Sequence, residues 1–500
     1  MADCPKFKID SNDTGLRYAV EECLKQLPEN VVWHAQEPNS YGDFGATITT
    51  VARNPINPSR QRKKGVVTDK EASASFTTDF TNGNHIDLMQ GFMFAAARQR
   101  PTTKPIGGTP VVITAVAAAD GYAMVSATAN TFKPGMLVLA QGFGVPANNG
   151  LKTVGAVAGG KVTVDGTADE ASPPATASLT VVGMSAAAGA ISLTVAGGLV
   201  TLVGVGMDTF GVVPGEWVFI GGDAVNSQLA KIKGFARVKT ISPTGWVLDK
   251  YTFVPEADSG AGKSVQVMLG IVIKNESDPL LIKRFSYQFE RTLGRDADGA
   301  MSQYVIGAVA NEFTLNVEQT EKVTGEMGFV ACDSVARSGA VGLKPGTRPP
   351  LVSGQAYNTS SDVRRISFGI VGDSKPLFVY ATDMTLTIGN NASGAKAIGV
   401  LGNFDINVGT FDVGGSVTAY FQDVRAVNAV NDNADVTMDV IMVTNNSGIV
   451  YDVPLLALGN GMISVEQDQS VTVPLDTMAA ESEFGHTRMY VNFPYLPSIA

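Results

Sequence analysis

Ser259–Ser264 reads SGAGKS, the Gly-Lys-Ser ending of a loop that cradles phosphate with backbone N–H groups and a lysine. That pattern needs a second glycine at position 257, where Ala257 stands, and a strand-to-helix setting that the flanking residues do not provide. The segment reads as a flexible turn. His34, His85 and His486 are too far apart in the chain to suggest a metal site or a Ser-His-Asp triad, and no G-x-S-x-G elbow occurs. Cys4, Cys23 and Cys332 are odd in number and lack ligand spacing, which fits a reduced compartment or structural thiols. No catalytic, cofactor-binding or metal residue is expected, so the chain does not read as an enzyme.

Charge offers more. Arg53–Lys64, RNPINPSRQRKK, gathers Arg53, Arg60, Arg62, Lys63 and Lys64 with no acid, and Pro55 and Pro58 hold it out of a sheet. It suits a solvated surface loop, a basic arm docking on an acidic face, or a grip on nucleic acid. The whole chain carries a net charge of −10, a poor footprint for holding a phosphate backbone but compatible with letting nucleic acid slide past. Glu318 and Glu466 occupy matching places in two copies of a VEQ strand, where inward carboxylates would repel phosphate and outward ones would simply be solvated. Trp217 and Trp246 suit the core of a small β domain or, if exposed, a contact with a sugar or a host surface.

The elements behind these residues come from duplication. Asn311–Cys332 aligns without a gap on Gly459–Ala480 at an offset of 148, and Ala74–Phe80 aligns on Gly415–Phe421 at 341. The first copy therefore carries about 193 residues that the second lacks. Within that extra stretch Gly150–Asp165 matches Gly234–Asp249 at offset 84, so the insertion is itself a repeat of two similar small units, about 125–170 and 205–250. Gly 54, only 17% charged residues and many Val and Thr favour sheets and turns. The spacing of Leu16, Val20, Cys23, Leu24 and Leu27 predicts a helix over 14–27, and a second is expected over 84–97, capped by Asn82 or Asn84. The start, MADCPKFKID, lacks the apolar stretch of a signal peptide, and the uncharged run 171–207 is too rich in Gly, Ala, Ser and Thr for a membrane helix. The expected division is an N-terminal helix or arm (1–29), a first module (30–105 plus 270–335), the insertion (106–269), a linker (336–375) and a second module (376–500).

The strand, basic loop and strand of Phe44–Phe80, the helix after them, YVIGAVANEFTLNVEQTEKVTGEMGFVA at Tyr304–Ala331 and VLGNFDINVGTFDVGGSVTAYFQD at Val400–Asp423 together resemble the major tail tube proteins of long-tailed bacteriophages with non-contractile tails, in their double-module version. The resemblance implies a mainly β fold: two tandem β-barrel or sandwich modules with flanking short helices, the first interrupted by the β-rich insertion. It also implies a structural subunit of the virion tail, assembled in the host cytoplasm as a homotrimeric, pseudo-sixfold ring stacked head-to-tail. Such a tube would conduct double-stranded DNA during genome ejection without binding it specifically, meet other tail proteins at its ends, and use no membrane. In this family a long loop at the place of Arg53–Lys64 reaches the neighbouring ring. The alternative reading is a surface adhesin of repeated β domains that binds carbohydrate.

Overall fold

The computed structural model describes residues 8–498 apart from 57, 59, 297, 352, 353 and 374; Cys4 lies outside them. The fold is mainly β, in two large antiparallel sheets and one two-stranded ribbon. Six strands of the first half, β1 (Thr14–Val20), β2 (Pro38–Arg53), β3 (Lys63–Asp79), β4 (Tyr287–Asp296), β5 (Gly299–Glu318) and β6 (Thr324–Ala331), flank a helix α1 (Ile86–Met93) that follows β3. The second half repeats the order as β7 (Val363–Ile370), β8 (Ala381–Gly389), β9 (Asp412–Tyr420), α2 (Arg425–Asn431), β10 (Val436–Thr444), β11 (Ser447–Asn460) and β12 (Thr472–Ala479), closed by β13 (Met489–Phe493).

Pairing repeats as well. The first module runs β2-β3-β6-β5-β4-β1 and the second β8-β9-β12-β11-β10-β7. The 148-residue offset places β6 on β12 residue for residue and the β4–β5 turn on the β10–β11 turn. The modules join where Glu312–Glu318 of β5 pairs antiparallel with Asp383–Gly389 of β8, which makes one sixteen-stranded sheet. Among the described residues the pairing path does not close on itself, so the chain alone forms an open sheet and no barrel.

Alternation explains the sheet. In β3, Ala72, Ala74, Phe76 and Thr78 point into the core while Ser73, Ser75 and Thr77 point out, the period-2 pattern of a sheet with one wet face. Phe76, Phe289, Phe329, Phe92 and Phe313 form an unbroken chain of tilted and edge-on aromatic contacts with centroids 4.7–5.9 Å apart, in which Phe92 of α1 links Phe329 to Phe313. That core continues without a break into the second module through Leu386, Ile388, Val440 and Tyr451.

Two helix expectations need correction. Residues 14–20 are a strand: Leu16 and Tyr18 alternate into the core, and pairing with β4 and with His34–Gln36 outweighs the chance helical spacing of Leu16 and Val20. The helix expected over 84–97 is only Ile86–Met93, preceded by His85 with no side-chain cap and ended by Phe94 in the left-handed conformation. It is buried on nearly every side, so tertiary packing rather than capping holds it.

Twelve strands between Ala115 and Met268 build the second sheet. Its order is a palindrome: 115–185 and 192–268 supply six strands each, so the repeats reach beyond the expected 125–170 and 205–250, and they meet where Gly183–Ser185 pairs antiparallel with Gln266–Met268. Gly183 is required there, since a Cβ would lie 2.3 Å from the carbonyl oxygen of Val267. The uncharged run 171–207 supplies three of these strands. No helix among the described residues is long and apolar enough to cross a membrane. Although this sheet interrupts the first module, it packs on the second: Trp217, Phe219 and Phe235 share a cluster with Ile441, Val450, Val491 and Phe493. Arg237 crosses the seam, 3.1 Å from Asp452 and 2.8 Å from Asp249.

His85 is fully enclosed, stacks on Phe80 at 4.9 Å, and burial lowers its pKa to about 4. The folded protein keeps it neutral while the unfolded chain protonates near 6.5, so its contribution is complete above about pH 6.5 and is lost as pH falls toward 4, about 3 kcal/mol in all. Asp452 runs the other way: burial, opposed by Arg237, pushes its carboxyl up to about 6, so its contribution falls as pH rises from about 4 to 6. Urea unfolding of wild type and His85→Phe between pH 4 and 7 separates the two. The difference between the proteins is expected to shrink as pH falls from 6.5 to 4; a constant difference contradicts the assignment.

Candidate functional site

The long strands β5 and β11 each pass from a covered region into an open one. At its start β5 is roofed by Trp33, which tilts against Tyr304 at 5.6 Å, while the start of β11 lies under the insertion through Val450. Beyond Ala310 the outward residues of β5 are Glu312, Thr314, Asn316 and Glu318, and those facing in are Phe313, Leu315 and Val317. Register extends this wet face across both modules. Thr77, Glu326, Thr314, Thr387 and Gly414 form one row, and Thr324, Asn316, Thr385, Ser416 and Asp476 form the next.

The acids on this face are Asp79, Glu312, Glu318, Glu326, Asp383, Asp412 and Asp476. No lysine or arginine occupies an outward position in these rows; Lys322, in the turn before β6, reaches Asp79 at 2.8 Å. Short Ser and Thr side chains between carboxylates give a hydrated, negative surface, which ends on exposed Met478 of β12 beside Gly414. Such a surface repels phosphate and offers no aromatic ring or cationic fork to a base or sugar.

The expected basic loop is shorter than its prolines imply, because both of its ends join the sheet. β2 and β3 pair as far out as Arg53 and Lys63, so Arg53 ends one strand and Lys63 and Lys64 begin the other, while Arg60 and Arg62 lie between the two strands. All five are exposed. Ile48, Val51, Val66 and Val67 are exposed beside them, so the arm is both basic and apolar and has no cover of its own. Its counterpart in the second module is different: 390–411 folds back as a ribbon of Ser393–Ala395 on Asp405–Asn407, and Lys396 reaches Glu71 at 2.8 Å and also Asp69 on β3.

Glu318 ends β5 on the acidic face, directly opposite Asp383. Glu466 lies outside any strand, because Asn460 and Gly461 adopt left-handed conformations and break β11 six residues before the equivalent point of β5. The two are therefore not brought together. Trp217 and Trp246 are fully buried, Trp246 donating to the Met207 carbonyl at 3.0 Å, so neither is an exposed aromatic. Ser259–Ser264 is a turn in which the Lys263 ammonium is 2.6 Å from Asp258 and holds that carboxyl down to about 2; no helix follows it. Among the described residues no group of His, Cys, Asp or Glu is arranged to hold a metal ion.

A β module used twice, with a wet acidic face shared by both copies and a protruding arm, defines a structural building block. The family comparison makes the class specific. The model of the phage tail tube protein family matches residues 11–236 and again 207–479, and the chain belongs to that family. It is a component of the virion tail. The curated proteins contain no match.

Glu318 and Asp383, like charges directly opposite on paired strands, repel each other. Glu318→Gln is expected to raise stability by a few tenths of a kcal/mol at low salt, with the gain fading at high salt. A loss of stability in thermal unfolding at low salt contradicts the placement.

Proposed function

We propose that the chain polymerises into stacked rings that form the hollow tube of a long, non-contractile phage tail, with the acidic face lining the channel. The observation that carries this reading is the continuity of that face through the β5–β8 joint: two modules already share one run of strands whose wet side is acidic, with no lysine or arginine at an outward position of its rows. Negative walls lower the friction of a passing duplex, because phosphate is repelled along the whole path and no contact needs to be broken. Three chains of two modules give six module positions, the pseudo-sixfold ring, and closure removes the open strand edges that would otherwise invite uncontrolled pairing. Head-to-tail stacking of such rings grows a filament. The role is structural, with no reaction catalysed. Assembly takes place in the host cytoplasm, tube ends meet other tail proteins, and DNA passes during genome ejection.

The β2–β3 arm is the stacking contact in this reading. Arg60, Arg62, Lys63 and Lys64 would dock on an acidic rim of the next ring while Ile48, Val51, Val66 and Val67 lose their exposure. The insertion belongs outside the tube, since it packs on β10, β11 and β13 behind the second module. The triple variant R62E/K63E/K64E is expected to remain folded and to give no tubes by negative-stain electron microscopy, while the wild type gives hollow filaments. Tubes of normal length from the variant contradict the role of the arm.

A further inference from the structure

The joint between the two modules inside one chain is a template for a joint between chains. Where β5 meets β8, Leu315 and Val317 are 0% and 4% exposed, covered by Leu386 and Met384. The chain presents the same two edges a second time, unpaired. β2, the counterpart of β8, pairs only with β3 among the described residues. Among the described residues the segment 459–466, the counterpart of the end of β5, pairs only with β12, through the end of β11, through the Gly461 N–H, which donates to the Pro474 carbonyl at 3.0 Å, and through Ser464, which exchanges backbone hydrogen bonds with Thr472 at 2.8 and 3.2 Å.

The burial contrast marks what is missing. Met462 and Ile463 span the place of Leu315, Val465 takes the place of Val317, and in the single chain Met462 is 77% and Val465 72% exposed. On the other edge Tyr41 and Phe44, in the places of Met384 and Leu386, are only half-buried. Met462 and Val465 therefore lack the cover that their counterparts have, and Tyr41 and Phe44 have only the Arg291 guanidinium, 5.2 and 4.5 Å from their rings, beside their core contacts.

We infer that 459–466 of one chain adds as an antiparallel strand to the β2 edge of a second copy, in the register of the β5–β8 joint. This rests on the proposed ring. Register follows from the shared neighbours. Asp383 faces Thr418 as Ser40 faces Thr77, and Thr418 corresponds to Thr77, so the Glu318–Asp383 pair maps onto Glu466 opposite Ser40. By the same route Glu312 opposite Gly389 maps onto Gly459 opposite Thr47. Glu466 then continues the acidic face across the boundary between chains, and Met462 and Val465 bury against Phe44 and Tyr41.

Paired cysteines test both joint and register. In a full-length background with Cys4→Ser and Cys23→Ser, the pair Ser40→Cys with Glu466→Cys is placed at exposed positions, and directly opposed strand residues lie within disulfide reach. Mild oxidation of assembled protein is expected to give covalent dimers and trimers, and no larger species, on a non-reducing gel. The control Ser40→Cys with Gly459→Cys, about 20 Å out of register, is expected to stay uncrosslinked. Crosslinking of the control at equal yield overturns the register. Tubes or rings that crosslink through neither pair overturn this joint and leave the ring reading standing, whereas a chain that stays monomeric at every concentration removes both.

Discussion

The pairing of Glu312–Glu318 with Asp383–Gly389 is the constraint on which the rest of the molecule depends. It turns two modules into one sheet, merges their cores and fixes which side of that sheet is wet. A shift of one residue would carry Phe313, Leu315 and Val317 to the wet face and the carboxylates into the core. The cost of burying those carboxylates, several kcal/mol each, makes the register unambiguous. Arg488 shows how tightly the modules are fused: its guanidinium is fully enclosed, 4.5 Å from the Tyr451 ring and 5.8 Å from that of Phe313, one ring from each module.

Duplication also explains how the same strand serves two purposes. The first parts of β5 and β11 are buried on both faces, which gives β10 and its neighbours near-continuous apolar runs, and the later part of β5 is half wet. In the first module the outer cover is a loop cluster around Trp33 and Tyr304; in the second it is the twelve-stranded insertion, tied down by Arg237 and an apolar seam. The insertion thus interrupts one module and completes the burial of the other, which makes the two halves of the chain interdependent.

Much of this was legible in the sequence. The offsets 148 and 341 found the strands β6 and β12 and the ends of β3 and β9, because strand residues facing a core retain their types and spacing. The insertion and its internal repeat were equally visible. The acidic face was missed beyond Glu318: Glu312, Asp383, Asp412 and Asp476 lie far apart in sequence, and only cross-strand register sets them side by side. Alternation around Phe313, Leu315 and Val317 would have placed Glu312 and Glu318 on one face. The spacing at 14–27 misleads because Leu16 and Val20 fit both a helix and a strand, and the partner that decides, β4, is about 270 residues away. Glu466 was misplaced since the left-handed turn at Asn460 and Gly461 leaves no trace in an ungapped alignment.

The central claim is that the face bearing Glu312, Glu318 and Asp383 encloses a channel shared by several copies of the chain. A cryo-electron microscopy reconstruction of filaments grown from purified protein measures this directly. The expected result is a hollow tube of threefold rings with six module positions, these carboxylates on the channel wall and the insertion at the periphery. A reconstruction that puts the same carboxylates outside, or shows the insertion within the bore, would contradict it.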